Sequence, residues 1–233
     1  MIWALHGAFG GPDDWGDLGR ALADVGVIAV DLWCDEHDLP LRAWASEFNR
    51  RVRDIDANPV LLGYSMGARM GLHALVEPAA QWKAAVLVSP HPGLSSAVER
   101  AARRERDDEW LRRFDSLDWR EFWREWTDQP VLTSSVRRPA PPDRRASRRG
   151  LARWSLAEQK DLRRDLWQVE CPVLWITGEL DEKFTAIGET AAPLLPRCEL
   201  TVVAGAGHRV PWDAPEEFDK LVASFLRRVA EDR

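Results

Sequence analysis

The chain is 233 residues long, 45% hydrophobic and 30% charged, with a net charge of -6. That composition suits one large globular domain, or a domain carrying an insertion, and the negative balance argues against a nucleic-acid partner. No apolar run approaches the ~20 residues that span a bilayer, and the first residues lack a basic stretch followed by a long apolar one, so the chain reads as cytoplasmic with no membrane partner.

Ile2 to Leu5 reads as a short strand running into a sharp loop, His6-Gly7-Ala8-Phe9-Gly10-Gly11. A helix is predicted from Asp13 to about Ala23, with Leu18, Ala21 and Leu22 on one face, followed by a continuous apolar strand from Val27 to Leu32. Leu41 to Ile55 places Trp44, Phe48, Val52 and Ile55 at helical spacing. Pro59 to Leu62 is the next strand, Ala68 to Val76 the next helix and Ala84 to Ser89 the next strand. There the alternation stops. Leu94 to Gln168 is rich in helix formers, arginine and tryptophan, with a proline-rich loop from Val136 to Asp143. Strands resume at Pro172 to Thr177 and Leu200 to Val203, with helices at about Phe184 to Leu195 and Ala214 to Val229.

Strands alternating with helices imply a parallel sheet covered on both faces, so the fold class is α/β, a mostly parallel doubly wound sheet. Residues 1–93 and 169–233 form its core, and 94–168 are expected to be a helical cap inserted into it. Cys34, Cys171 and Cys198 are odd in number and widely spaced, which argues against a disulfide framework or a zinc site. They read as packing residues.

The chemistry centres on Gly63-Tyr64-Ser65-Met66-Gly67, a GxSxG between a strand and a helix. In such a nucleophile elbow the turn is so tight that the serine takes strained backbone angles and its neighbours must lack bulk. A bare glycine-rich turn would look the same, so the remainder of the chain has to decide. Asp181 and His208 each stand just past the end of a strand, where sites of open α/β sheets assemble. Their order, Ser then Asp then His, is that of an α/β-hydrolase triad, in which His208 takes the proton of Ser65 while Asp181 fixes the imidazole tautomer. Glu179 could supply the carboxylate instead; Asp181, further out on the loop, is preferred. An oxyanion hole needs two backbone amides, and Met66 and Ala8 occupy the positions that supply them. His6 reads as structural.

Gly63 to Arg69 is more specific than a bare elbow. Together with Leu5-His6-Gly7, His91-Pro92-Gly93-Leu94, Glu99 to Arg103, Trp126 with Gln129-Pro130-Val131, Gly178 to Phe184 and Ala206-Gly207-His208, it resembles the 2-succinyl-6-hydroxy-2,4-cyclohexadiene-1-carboxylate synthases of menaquinone biosynthesis, a branch of the α/β-hydrolases. The resemblance runs over nearly the whole chain. It implies an α/β-hydrolase fold and a lyase that eliminates pyruvate from 2-succinyl-5-enolpyruvyl-6-hydroxy-3-cyclohexene-1-carboxylate, with no metal or organic cofactor.

It also implies substrate-binding roles for Arg69, Arg103 and a third arginine matched to Arg145, for which Arg144 or Arg148 could stand in. Planar guanidinium forks bind carboxylates bidentately, which suits a small polycarboxylate substrate. Trp126 matches a position that lines the site, although packing among 13 tryptophans would explain it equally. Tyr64 is expected to wall the pocket. Arg112, Arg113, Arg163 and Arg164 read as solvated helix faces. Two departures stand out. Leu32 to His37 replaces a proline-glycine-histidine-glycine loop, and Thr127 stands where an aromatic often follows the tryptophan. The alternatives are a carboxylesterase or carbon–carbon bond hydrolase with the same triad, and a non-catalytic binding module; the oligomeric state is not legible.

Overall fold

The computed structural model describes every residue except 17, 19–21, 23–24, 35–38, 79, 139–147, 149–151 and 232–233. The continuous apolar runs become strands β1 (Ile2–Leu5), β2 (Val27–Val30), β3 (Val60–Tyr64), β4 (Ala84–Val88), β5 (Val173–Gly178) and β6 (Cys198–Val203). They pair in parallel in the spatial order β2-β1-β3-β4-β5-β6. The chain leaves β1 for β2 on one side and crosses to β3 on the other. Winding therefore reverses between β1 and β3, and the loops leaving their carboxyl ends diverge to open a crevice.

Alternation along each strand divides the core into two layers. Trp3, Leu5 and Leu61 point to one face, where α1 (Leu41–Ile55) brings Trp44, Phe48 and Val52, and α2 (Met66–Leu75) brings Met70 and Leu72. Trp44 and Phe48 stack with centroids 4.8 Å apart. Ile2, Ala4, Leu62 and Val86 point to the other face, covered by Phe218, Val222 and Phe225 of the last helix, α7 (Pro215–Glu231). Between β5 and β6 lies α5 (Glu182–Ala191), and a single turn, α6 (Val210–Asp213), precedes α7. Of the predicted helix from Asp13, the described part opens as a 3-10 turn at Pro12–Trp15; Ala21 and Ala23 lie outside the described residues.

Between β4 and β5 stand two helices, α3 (Ala97–Ser116), polar nearly all round, and α4 (Trp119–Thr127), which is amphipathic. Ser96 caps α3 by accepting from the Glu99 amide at 3.1 Å, while the Glu99 carboxylate accepts from the Ser96 amide at 3.0 Å. Asp118 caps α4 by accepting from the amides of Arg120 and Glu121, each at 2.9 Å. Beyond Asp128 helical backbone is described at Arg148, Ala152 and Arg153, while 139–147 and 149–151 lie outside the described residues. The described residues up to Asp165 are mostly turns, closed by bonds such as Leu132 N–H to the Gln129 carbonyl at 2.8 Å. No helix among the described residues is long and apolar enough to cross a membrane.

The elbow needs backbone to meet backbone. A Cβ on Gly67 would lie 2.3 Å from the Leu5 carbonyl oxygen and 2.6 Å from that of His6, and neither can swing away. Gly67→Ala should therefore cost about 3 kcal/mol, at the upper end of overpacking penalties, because the clash is with main chain. Urea unfolding of the variant should show that loss; an unchanged midpoint would mean that β1 and α2 do not approach this closely.

Candidate active site

At the end of β3 the chain turns through Ser65, whose φ is 51° and ψ is -108°. The strain is sustained from both sides. Ser65 donates its amide to the Val88 carbonyl at 2.8 Å and its own carbonyl accepts from the Arg69 amide at 3.0 Å. A Cβ on Gly63 would sit 2.7 Å from the Ala68 Cα, so both glycines of the motif are sterically required. The elbow thus projects Oγ from the carboxyl edge of the sheet while Met66 begins α2 with an amide that has no intrahelical partner.

Gly178 performs a related task at the end of β5. A Cβ there would lie 2.2 Å from the Gly207 carbonyl oxygen and 2.3 Å from that of Ala206, so its absence lets the loops after β5 and β6 touch. Their side chains then meet. His208 Nδ1 lies 2.6 Å from Asp181 Oδ2, and His208 Nε2 lies 2.9 Å from Ser65 Oγ. A carboxylate only accepts, so Nδ1 carries the hydrogen and Nε2 is left to accept from the serine hydroxyl. Asp181 and His208 are both buried. The Phe184 ring, 4.5 Å from the imidazole by centroid, packs on it.

Glu179 is not a competitor for the acid position. It is exposed and accepts from the Gly205 amide at 2.8 Å, which ties down the turn before His208. A residue that the sequence reading passed over does the same more strongly. Asp213, on α6, accepts from Gly207 N–H at 2.9 Å, from the Ser135 hydroxyl at 2.8 Å and from Val136 N–H at 2.8 Å. Arg209 adds a bond from its amide to Ser135 Oγ at 3.0 Å and one from its guanidinium to the Val136 carbonyl at 2.7 Å. The histidine loop is therefore fastened to the stretch that follows α4. No local motif announces such a contact, since the partners lie more than seventy positions apart in the chain.

These groups open on a cavity of about 530 Å³. Ser65, His208, Ala8 and Met66 lie on its wall, as do Tyr64, Trp126, Arg69 and Arg103. Arg69 is half-buried, and its guanidinium donates to Gln159 Oε1 at 2.9 Å and to the Trp154 carbonyl at 3.0 Å, both neutral acceptors. Burial, with Arg103 nearby, lowers it to about 9, so it remains charged at neutral pH. Arg103 pairs with Asp107 at 2.8 Å. Arg106 and Lys183 also face the cavity, and burial together with Arg103 and Arg106 lowers Lys183. Six cationic side chains against four aspartates on the wall, around a half-buried guanidinium whose bonded partners are neutral, suit an anion.

Arg145 and Arg144 lie outside the described residues. Arg148 is turned to Asp115, at 2.7 and 2.6 Å, and does not line the cavity. Arg112 and Arg113 are exposed and paired with Glu109, as a solvated helix face should be. Arg163 departs from that expectation. It lies off any helix and half-buried, donating to the Gly93 carbonyl at 3.0 Å, because Gly93 with φ 118° brings that backbone against residues 160 and 161.

The profile of the alpha/beta hydrolase family matches residues 4–221. An Escherichia coli protein named 2-succinyl-6-hydroxy-2,4-cyclohexadiene-1-carboxylate synthase is 31% identical over 96% of this chain and 92% of its own length. The chain belongs to this synthase family. A Klebsiella pneumoniae synthase of the same name is 28% identical over 95% of this chain and 92% of its own. The solved structure of MenH from Staphylococcus aureus superposes with a TM-score of 0.91 at 22% identity, covering 98% of this chain and 94% of that one, and so shares the fold.

Within this member of the synthase family three histidines are buried away from the triad. His6 accepts from Leu32 N–H at 3.1 Å through Nε2, leaving Nδ1 to donate to the Gly7 carbonyl at 2.9 Å, a structural role. His91, on the cavity wall, accepts from Gly93 N–H at 3.1 Å through Nδ1. Burial, helped by the Arg69 charge, lowers His73 and His91 to about 3, and burial lowers His6 as well. All three are neutral in the fold. Below pH 6.5 the unfolded chain binds protons that the folded chain refuses, so stability falls as pH drops from 6.5 towards 3. His73 and His91 each contribute a slope of up to about 1.4 kcal/mol per pH unit. His73→Leu should remove about one proton's share of that slope in urea titrations between pH 7 and pH 5; an unaltered slope would mean that His73 titrates normally in the fold.

Proposed function

We propose that this chain eliminates pyruvate from 2-succinyl-5-enolpyruvyl-6-hydroxy-3-cyclohexene-1-carboxylate, giving the cyclohexadiene product after which its relatives are named, and that residues 94–168 act as a cap over the core 1–93 and 169–233. One observation carries the reading. The hydrogen-bonded chain Ser65–His208–Asp181 shares its cavity with Arg69, a half-buried guanidinium whose bonded partners are neutral. A hydrolase for apolar esters has no use for that charge, whereas a tricarboxylate does. The substrate is a water-soluble polyanion, so the reaction is placed in the cytoplasm.

The chemistry follows from the change in double bonds. Passing from a 3-ene to a 2,4-diene requires loss of the proton at C2 and departure of the oxygen at C5. The C2 hydrogen is acidified by the succinyl carbonyl beside it. Ser65 Oγ, its own proton drawn by His208 Nε2, takes the C2 proton while Asp181 stabilises the imidazolium. The C2–H electrons become a ring double bond, the C3–C4 double bond moves to C4–C5, and the C5–O bond breaks. Enolpyruvate leaves and ketonises to pyruvate. The amides of Met66 and Ala8 bind the charge that develops on the succinyl oxygen, and Arg69 and Arg103 hold carboxylates with Tyr64 and Trp126 as walls. No acyl-enzyme forms.

Pyruvate release from this substrate, measured against the spontaneous rate, tests the proposal. Ser65→Ala and His208→Ala should each lower kcat by about three orders of magnitude or more, since triad members act as a unit. Arg69→Ala should raise KM at least about tenfold through loss of a charge-assisted contact. Normal turnover in Ser65→Ala would sink the site assignment. Hydrolysis of neutral esters by Arg69→Ala at the wild-type rate, with no pyruvate released by the wild-type protein, would favour the esterase reading.

A further inference from the structure

The turn that carries Ala8 is closed by Gly10 N–H donating to the Gly7 carbonyl at 3.0 Å. Its third residue is Phe9, whose φ is 57°. A positive φ at that position is ordinarily taken by glycine or asparagine, because a Cβ crowds the backbone there. This chain has glycine at 7, 10 and 11, yet a phenylalanine at the position that most favours glycine. Something must hold the ring in place.

The ring is buried, and what buries it comes from the insertion. Its centroid lies 4.6 Å from Trp126, 5.5 Å from Phe122, 5.9 Å from Trp123, 6.0 Å from Trp119 and 6.3 Å from Phe114. All five belong to α3 and α4, and Phe9 joins Phe114 and Phe122 in an apolar cluster separate from both sheet layers. Phe9 is the one member of that buried trio contributed by the loop after β1. On its far side the turn is held by the Trp33 indole, which donates to the Gly10 carbonyl at 2.6 Å.

We infer that Phe9 is a positioning residue: its ring, gripped by α3 and α4, holds the Gly7–Gly10 turn in the conformation that aims the Ala8 amide into the cavity. The oxyanion site is then complete only while the inserted helices are seated on the core. A segment with three glycines has many other conformations of similar energy, and the ring selects one. The inference rests on the oxyanion role given to Ala8 above.

Phe9→Gly separates the ring from the backbone requirement, because glycine adopts the positive φ without strain. Steady-state pyruvate release by Phe9→Gly should show kcat lowered by about 10- to 100-fold, in the range of a misplaced oxyanion donor, with KM within about threefold. Phe9→Leu, which keeps an apolar plug, should recover most of that loss. Phe122→Ala removes a fully buried partner ring that does not line the cavity, and it should lower kcat similarly. The double variant should be no worse than the single ones, the mark of two residues acting through one contact.

Wild-type kcat in folded Phe9→Gly, a change confined to KM, or additive losses in the double variant would each overturn the inference. If Phe9→Gly fails to fold, Phe122→Ala and Phe9→Leu carry the same test. If the wild-type protein releases no pyruvate, the lyase reading fails by itself, and the same ratios are read on hydrolysis of p-nitrophenyl acetate, which draws on the same two amides.

Discussion

The site rests on main chain packed against main chain at places where no Cβ fits. Gly67 lets α2 start against the Leu5 and His6 carbonyls, and Gly178 lets the loop after β6 lie on the loop after β5. The first contact sets Ser65 beside the Ala8 loop; the second sets His208 beside Asp181. With both made, a serine, an imidazole and a carboxylate from three strands fall into one line at 2.9 and 2.6 Å. Neither contact has a side chain that could adjust, so the alignment is stiff by construction.

Charge distinguishes this site from others with the same triad. Setting the half-buried Arg69 against an amide oxygen and a backbone carbonyl leaves the guanidinium without a bonded counter-charge, which favours an anionic ligand. Arg103, tethered to Asp107, and the cations Arg106 and Lys183 extend the same field. In the proposed reaction this positive charge holds the polyanion in register while Ser65 removes the C2 proton. Ester hydrolysis asks less of its pocket, needing room for water and a carbonyl.

Much of this was legible in the residues because sterics and hydrogen bonding restrict residue type. GxSxG is readable since two of its positions tolerate nothing else, and α1 came out at Leu41–Ile55 because one apolar stripe runs its whole length. Ends were less legible. β3 continues through Gly63 and Tyr64, which pair with Leu87 and Val88, and α2 begins at Met66 because Ser65 is itself the reversal point. The insertion was the least legible. Its arginines look alike in sequence, yet Arg103 and Arg106 face the cavity, Arg113 faces Glu109 and Arg163 clasps a backbone carbonyl. Which way each turns depends on tertiary neighbours, as does Asp213, whose three partners come from two loops.

Those long-range contacts change how the two parts of the chain should be viewed. Ser65, Asp181 and His208 stand on loops at the sheet edge, outside the insertion. Residues of the insertion touch these loops at two points, through the rings of α3 and α4 that pack on Phe9 and through Ser135 and Val136, beyond α4, which share Asp213 with the histidine loop. They also supply Arg103 and Arg106 to the cavity wall. Substrate charge held by those arginines therefore pulls on the same helices that grip Phe9. On the roles proposed for Ala8 and Arg103, polycarboxylate binding and the shape of the oxyanion site are coupled through α3 and α4.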